Sequence, residues 1–331
     1  MARKTYRKII TSDELDKQIN PENFKISKRF LREKGARVSP LTVSNYESDL
    51  RIFYTWNLLN NENKFFLDIK KIEFADFFSY CAEELQWGSA RANRMRSALS
   101  SFSQFIEKFM DEEYPEFRNV ILKVIESSPK SESREKTVLS EKQVESLLEH
   151  LSEKNPQQAC WLALAISSGA RFAELLRFEV DMIDDAQPVF DGVFLETSRV
   201  IQTKGRGRTG KMMKKYIIKD TFMPHYEKWI VQRKKILDEK GLSHGHLFIR
   251  KSGEKIADGT VRSWTRGMST FLGENVYPHS FRHYITTYLS KKGIPQPLIK
   301  ELMGWASIAM VGLYDDTSAR DKEWKELKNL R

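Results

Sequence analysis

Cysteine is scarce: the 331-residue chain carries only Cys81 and Cys160, far apart in the sequence. A secreted disulfide scaffold would hold more, so both read as small core residues of a cytoplasmic protein in a reducing compartment. No uninterrupted apolar run reaches transmembrane length, and no apolar signal segment follows Met1, which argues against membrane and secretory roles. A Gly-x-x-x-x-Gly-Lys-Ser/Thr loop is missing, so nucleotide hydrolysis by that route has no support. The six histidines (His150, His225, His244, His246, His279 and His283) do not cluster with the cysteines, and no metal-binding constellation emerges. There is no internal repeat.

What is present is a globular composition, 40% apolar and 30% charged, long enough for two domains at ~150 residues each. Lysine plus arginine number 55 against 45 acidic residues, a net charge of +10. Such a surplus favours a polyanionic partner without proving one.

The first 38 residues are basic and short on apolar periodicity, which reads as an N-terminal arm or a loosely packed lead-in. Helical pattern starts at Ser39-Pro40, where Ser39 can cap and Pro40 fits a first turn. Val43, Tyr46, Leu50, Phe53 and Tyr54 then recur at spacings of three and four, making one buried face. A second helix is expected through Ile72 to Glu84. A third, roughly Ser89 to Phe109, has Met95, Leu99, Phe102, Phe105 and Ile106 on one side and Arg91, Arg94 and Arg96 on the other. Residues 39–126 thus read as a bundle of four or five helices.

Apolar residues vanish over 127–137, a Ser-, Pro- and charge-rich stretch that reads as a linker. A second domain, 138–318, opens with a helix after Ser140 whose stripe is Val144, Leu147, Leu148 and Leu151. Another helix is expected over about Gln157 to Phe178. Short β-type runs follow at Val193–Glu196, Arg199–Gln202 and Tyr216–Ile218, with one more candidate at Leu247–Ile249. The expected fold is mainly α with a small antiparallel β-sheet, in two domains. Residues 319–331 look like an amphipathic tail helix, with Trp324 and Leu327 on one face.

Arg171 stands among Leu162, Ala165, Ile166, Leu175 and Leu176, and a buried guanidinium needs a partner, which Glu174 supplies three residues on. A structural core pair and a guanidinium aimed at phosphate both fit. His279 and Arg282 are one helical turn apart after Pro278, at a helix start whose dipole favours an anion. Taken singly, Trp305 is an ordinary core aromatic and Tyr314 an ordinary half-buried phenol.

Read in order, Gly169-x-Arg171-x-x-Glu174-Leu175, a lysine in a β-turn, His279-x-x-Arg282, Gly304-Trp305 and Tyr314 resemble the tyrosine recombinases, the phage-integrase family of Xer and Cre proteins. Tyr314 follows Arg282 by 32 positions and follows Trp305 by 9, the family's spacing. The resemblance spans about residues 39–318, with 39–126 resembling the family's core-binding domain and 138–318 its catalytic domain.

That resemblance implies a site-specific recombinase that cleaves and rejoins double-stranded DNA through a covalent 3′-phosphotyrosine on Tyr314. Arg171 and Arg282 would clamp the phosphate oxygens, His279 would donate or relay a proton, and Lys204, or a neighbour in its turn such as Lys211 or Arg206, would be the general acid. Trp305 stands where many members carry histidine; Cre-like members have tryptophan there, which keeps one N–H donor. Neither ATP nor a metal nor any other cofactor is implied, because the bond energy stays in the phosphotyrosine.

Asp315-Asp316 depart from the pattern, since two carboxylates beside a phosphate site repel it unless they point away. The expected partners are duplex DNA, self-association from dimer to tetramer on it, and accessory DNA-bending proteins. Eight basic residues lie between Arg199 and Lys219; of these, Arg206, Arg208 and Lys211, with Arg91, Arg94 and Arg96 in front, are the candidate DNA contacts. A solvated helix face accounts for each front arginine equally well. A silent DNA-binding regulator of the same fold, such as a phage-type repressor, is the alternative.

Overall fold

The computed structural model describes residues 11–127, 137–205, 207 and 209–315. The expected linker (save Ser127 and Thr137), Arg206, Arg208, Asp316 and the expected tail helix lie outside the described residues. Apart from the 206–210 turn, the chain divides into two compact units, one running to Arg134 and one from Glu135.

The first unit is helical: α1 (Asp13–Asp16), α2 (Pro21–Gly35), α3 (Pro40–Asn60), α4 (Lys71–Glu83), α5 (Ser89–Phe109) and α6 (Ile121–Val124), with a 3-10 turn at Phe66–Asp68. Ser39 caps α3, its Oγ accepting from the Thr42 N–H, and Pro40 occupies the first turn. The core is strongly aromatic: Phe53 meets Phe77 edge-on at 4.9 Å, and Phe66 meets Phe102 at 4.7 Å. Offset and edge-on ring contacts of this kind add to the burial of large apolar area.

The reading of residues 1–38 as a loose arm fails for the described part. Helix α2 buries Asn23, Ile26, Ser27 and Phe30, one face at helical spacing. Half of that face is polar, so apolar periodicity does not reveal it. The polar half is satisfied instead: Ser27 Oγ lies 2.6 Å from the Tyr54 hydroxyl, and Asn23 Nδ2 donates to the Lys64 carbonyl at 3.0 Å.

The second unit starts with α7 (Glu141–Lys154), entered through a Ser140–Gln143 capping box. Its buried stripe is Val144, Leu147 and Leu151. Helix α8 (Pro156–Ser168) is apolar on every side and runs through the middle of the core, Trp161 against Phe281 at 5.8 Å. Short helices α9 (Phe172–Leu175) and α10 (Asp181–Asp184) lead into five short strands, β1 (Gln187–Val189), β2 (Phe194–Glu196), β3 (Ile201–Thr203), β4 (Lys211–Met213) and β5 (Tyr216–Ile218).

The strands form two small antiparallel sheets, β1-β2-β5 and the β3-β4 hairpin, rather than one. Leu195 faces Ile217 across β2 and β5, and Ile201 faces Met213 across β3 and β4. Arg199 and Val200 are outside the strands, and the Leu247–Ile249 candidate makes only an isolated bridge, Ile249 to Lys255. Helices α11 (Lys219–Lys240), α12 (Asp258–Leu272), α13 (Pro278–Lys291), α14 (Gln296–Met303) and α15 (Ala309–Tyr314) complete the unit. Among the described residues no helix is long and apolar enough to cross a membrane.

Candidate active site

The site is built where chain direction breaks. Helix α8 ends at Gly169, whose φ of +56° is left-handed, so the single helix expected over Gln157 to Phe178 does not exist. A Cβ there would come 2.4 Å from Met303 Sδ, so glycine is required by both backbone and space. Beyond the break, Arg171 becomes the N-cap of α9. Its N–H donates to Glu174 Oε2 and its Nη1 donates to Oε1, both at 2.9 Å. The Arg–Glu pair is therefore a cap across a turn, not two residues along one helix face.

Glu174 is buried, and its Oε2 also accepts from Lys215 Nζ at 2.7 Å. Burial alone would raise its pKa; the Lys215 ammonium, followed by the Arg171 donors, outweighs burial and holds the carboxyl down at about 2. Lys215 is fully buried in turn, and that burial pushes its pKa down while Glu174 pulls it up.

Helix α13 begins at Pro278 and carries His279, Arg282 and His283 on its early turns. Arg282 is 1% exposed, although it is a guanidinium. It donates from Nη1 to the Gly169 carbonyl and from Nη2 to the Met303 carbonyl at 3.2 Å, which ties the α8 break to the end of α14. Burial and then the Arg171 charge lower its pKa to about 10, against the pull of Glu174 and Tyr314, so it stays cationic at neutral pH. Its Nε is buried with no partner among the described residues. His279 reaches the surface. Desolvation by the surrounding protein, then Arg282, His283, Arg171 and Lys204, press its pKa below the usual 6.5.

After α14 the chain reverses at Gly304 (φ +67°), where a Cβ would strike Met213 Cε at 2.2 Å. The reversal delivers Trp305, 4% exposed, onto two neighbours. Arg282 Cζ lies 4.9 Å from its ring centroid, and the Tyr314 ring stacks on it at 5.1 Å and 23°. The indole Nε1 is buried and has no acceptor among the described residues.

Tyr314, the last residue of α15, is half-buried; Arg282 Cζ stands 5.5 Å from its ring centroid and the His283 ring 4.6 Å away. The Tyr314 ring thus meets the Arg282 guanidinium on one side while it packs on the apolar cluster that includes Trp305 and Val311. Asp315 turns aside: its Oδ2 accepts from Ser290 Oγ at 2.8 Å on the outer part of α13.

Lys204 is exposed at the end of β3, near enough for its charge to act on His279. Lys211 is exposed at the start of β4, while Arg206 and Arg208 lie outside the described residues. The basic stretch from Arg199 to Lys219 is not uniformly free for phosphate. Arg199 pairs with Glu179 and, at 2.7 Å, with Asp181; Lys214 pairs with Glu196 at 2.8 Å; Lys215 is the buried partner of Glu174. Carboxylates distant in sequence capture these cations, which a count of positive residues along one segment misses.

In the first unit, Arg91 and Arg94 both hold the buried Asp49, at 2.6 and 2.8 Å, and Arg91 lies over Trp87. Arg96 donates to the carbonyls of Ile125 and Leu122, closing the α6 turn. Arg94 is half exposed even so.

Residues 137–320, more than half of the chain, match the phage integrase family. The SPbeta prophage-derived recombinase-like protein YomM of Bacillus subtilis (strain 168) is 26% identical over 281 residues, 82% of this chain and 80% of that protein. Tyrosine recombinase XerD of Oceanobacillus iheyensis is 25% identical over 303 residues, 89% of this chain and 93% of its own. Among solved structures, the XerH site-specific recombinase bound to palindromic difH superposes with a TM-score of 0.66 at 18% identity, over 87% of this chain and 79% of that one. A lambda integrase tetramer bound to a Holliday junction gives 0.61 at 17% identity, over 88% and 77%. These likenesses establish the fold, a mainly helical chain with small antiparallel sheets. With the ordered motif from Arg171 to Tyr314 and the family match over the second unit, the chain belongs to the phage integrase family, the tyrosine recombinases.

Proposed function

We propose that the protein is a site-specific DNA recombinase that breaks and rejoins duplex DNA through a 3′-phosphotyrosine on Tyr314. The observation that carries this reading is the placement of the Tyr314 ring against Arg282 and against the Trp305 indole, whose N–H has no acceptor among the described residues. Arg282 Nε and Trp305 Nε1 are buried with no acceptor among the described residues, and a phosphodiester supplies acceptors for such donors.

The Tyr314 oxygen attacks phosphorus, the new P–O bond forms, and the P–O5′ bond breaks. Arg171 and Arg282 take the non-bridging oxygens, whose charge grows in the transition state, and Trp305 Nε1 donates one further bond. His279, neutral at pH 7, accepts the phenolic proton; the Lys204 ammonium gives one to the departing 5′-oxygen. Protons balance, and the phosphotyrosine keeps the ester's energy for rejoining by a second 5′-hydroxyl.

Duplex DNA is the partner this chemistry requires. The solved relatives include a XerH complex with difH, and a dimer and a tetramer of lambda integrase on DNA, which supports assembly of this chain as a dimer to tetramer on its own site. Lys211 and Arg94, both solvent-facing cations, are the described residues best placed to meet backbone phosphate. No observation favours the silent-regulator alternative.

The test is a nicked suicide duplex bearing the protein's own site, on which cleavage cannot be reversed. A covalent protein–DNA adduct that survives denaturation, formed by the native chain and not by Tyr314→Phe, is the expected result. Specific binding without any adduct would overturn the reading.

A further inference from the structure

The Lys215 ammonium is the most deeply buried lysine nitrogen placed near the site, yet the chemistry above gives it no task. Its side chain is 1% exposed, and its ammonium donates to Glu174 Oε2 at 2.7 Å. The other carboxylate oxygen, Oε1, holds Arg171 Nη1 at 2.9 Å. One carboxylate therefore links a lysine between β4 and β5 to the guanidinium at the α8–α9 break.

The lysine is itself fixed by its backbone: its N–H donates to Thr197 Oγ1 at 2.9 Å, and its carbonyl accepts the Thr197 N–H at 2.9 Å. Arg177 Nη1 adds a second tie, to the Gln202 carbonyl of β3 at 2.7 Å. Beside it Lys214, one residue earlier, is solvent-facing and paired with Glu196. Two neighbouring lysines thus have opposite environments, and a surface-charge role fits only the first.

We propose that Lys215 is a positioning residue: through Glu174 it fixes the Arg171 guanidinium, and it sets the Lys204-bearing hairpin against that guanidinium. The effect on cleavage rests on the recombinase reading; the effect on Arg171 does not. A buried carboxylate is held rigid only while its charge is compensated, and three cations face Glu174: Arg171 from the break, Lys215 from the strands and Arg282 from α13. Arg282 is committed to the Gly169 and Met303 carbonyls, so removing Lys215 leaves Arg171 as the sole direct ionic partner among the described residues. Glu174 then takes up a proton at higher pH, and a protonated carboxyl no longer orients the guanidinium.

The experiment compares the native chain with Lys215→Met and Lys215→Arg by NMR, reading the Glu174 carboxyl carbon against pH and the Arg171 guanidinium signals. Adduct yield on the suicide duplex and duplex affinity are measured in parallel. Lys215→Met is expected to move the Glu174 midpoint up by more than about a hundredfold in proton affinity and to average the Arg171 signals. Cleavage should fall about a hundredfold, steepest at acid pH, with duplex affinity unchanged. Lys215→Arg restores the charge and is expected to recover the Arg171 signals and most of the rate.

Unaltered Glu174 and Arg171 signals in a folded Lys215→Met chain would overturn the proposal, whatever the rate does. If the native chain forms no adduct, the enzymatic reading falls while the NMR comparison still decides the positioning role. Should Lys215→Met not fold, the neutral pair Lys215→Met with Glu174→Gln replaces it; ordered Arg171 signals in that pair would equally overturn the proposal, and averaged ones would support it.

Discussion

The ring of Tyr314 lies flat on that of Trp305, centroids 5.1 Å apart, and the same tryptophan carries a buried N–H that no described residue accepts. In the proposed reaction the stack aims the phenol, and the N–H meets the phosphate that the phenol attacks. Trp305→Phe preserves the stack and deletes the donor. Its cleavage rate is expected to fall by about a hundredfold with duplex affinity unchanged, as for loss of one preorganised donor. Single-turnover cleavage measures this; a rate equal to the native chain's would show that the indole N–H meets no developing charge.

Arg282 bridges two carbonyls that belong to different helices, Gly169 and Met303. A lysine keeps the charge but cannot span both acceptors with a planar fork. Arg282→Lys is therefore expected to lose about 1–3 kcal/mol of stability as well as activity. Urea denaturation supplies the check, and an unchanged midpoint would mean that the two carbonyls find water instead.

Gly169 is left-handed and faces Met303 closely. Gly169→Ala should cost about 1–3 kcal/mol from backbone strain and displacement of the methionine. Because its carbonyl is the Arg282 acceptor, cleavage should fall with stability. Thermal denaturation and adduct yield, measured together, decide whether the two losses travel together.

Acid should weaken the second unit in two windows. His279 has a folded pKa below the ordinary 6.5, so the unfolded chain takes its proton first as pH falls. Its contribution is whole above pH 6.5 and shrinks as pH falls below it. His225 and His246 shift the same way, so His279→Gln should flatten this window without removing it. Glu174 sits at about 2 against an ordinary 4.5. Its contribution, about 3 kcal/mol, is present above pH 4.5 and lost between there and pH 2. Denaturation against pH is expected to show the lower window in the native chain and not in Glu174→Gln.

Two of the three front arginines, Arg94 and Arg96, should separate. Arg94 is half exposed on Asp49, whereas Arg96 is engaged by the Ile125 and Leu122 carbonyls. Arg94→Ala is expected to reduce the salt slope of duplex binding by about 1, and Arg96→Ala to lower stability with the slope intact. The reverse pattern would exchange their roles.

The candidate site was legible only as an ordered set, because Trp305 and Tyr314 taken singly are ordinary residues; the structure brings Arg282, Trp305 and Tyr314 into contact. Helices α3 and α5 were legible for a simpler reason: Leu50, Phe53 and Tyr54 in the one, and Met95, Leu99, Phe102 and Ile106 in the other, recur at helical spacing on the buried face despite the polar residues buried beside them. Helix α2 was not, since Asn23 and Ser27 occupy half its buried face and are satisfied by partners far along the chain. Lys215 hid among seven other basic residues, and its partner Glu174 is 41 positions away. The left-handed turn at Gly169 split an apolar run that reads as one helix, because a single glycine within such a run carries no mark of its φ. Local patterns reveal local structure, and pairings across the fold are the part they leave out.

The most direct test is the chemical identity of the attachment point. Digestion of the protein–DNA adduct and mass spectrometry of the DNA-bearing peptide should place a 3′-phosphate on the Tyr314 oxygen. Attachment at any other residue, or a native chain that yields no DNA-bearing peptide from a duplex it binds specifically, would contradict the account.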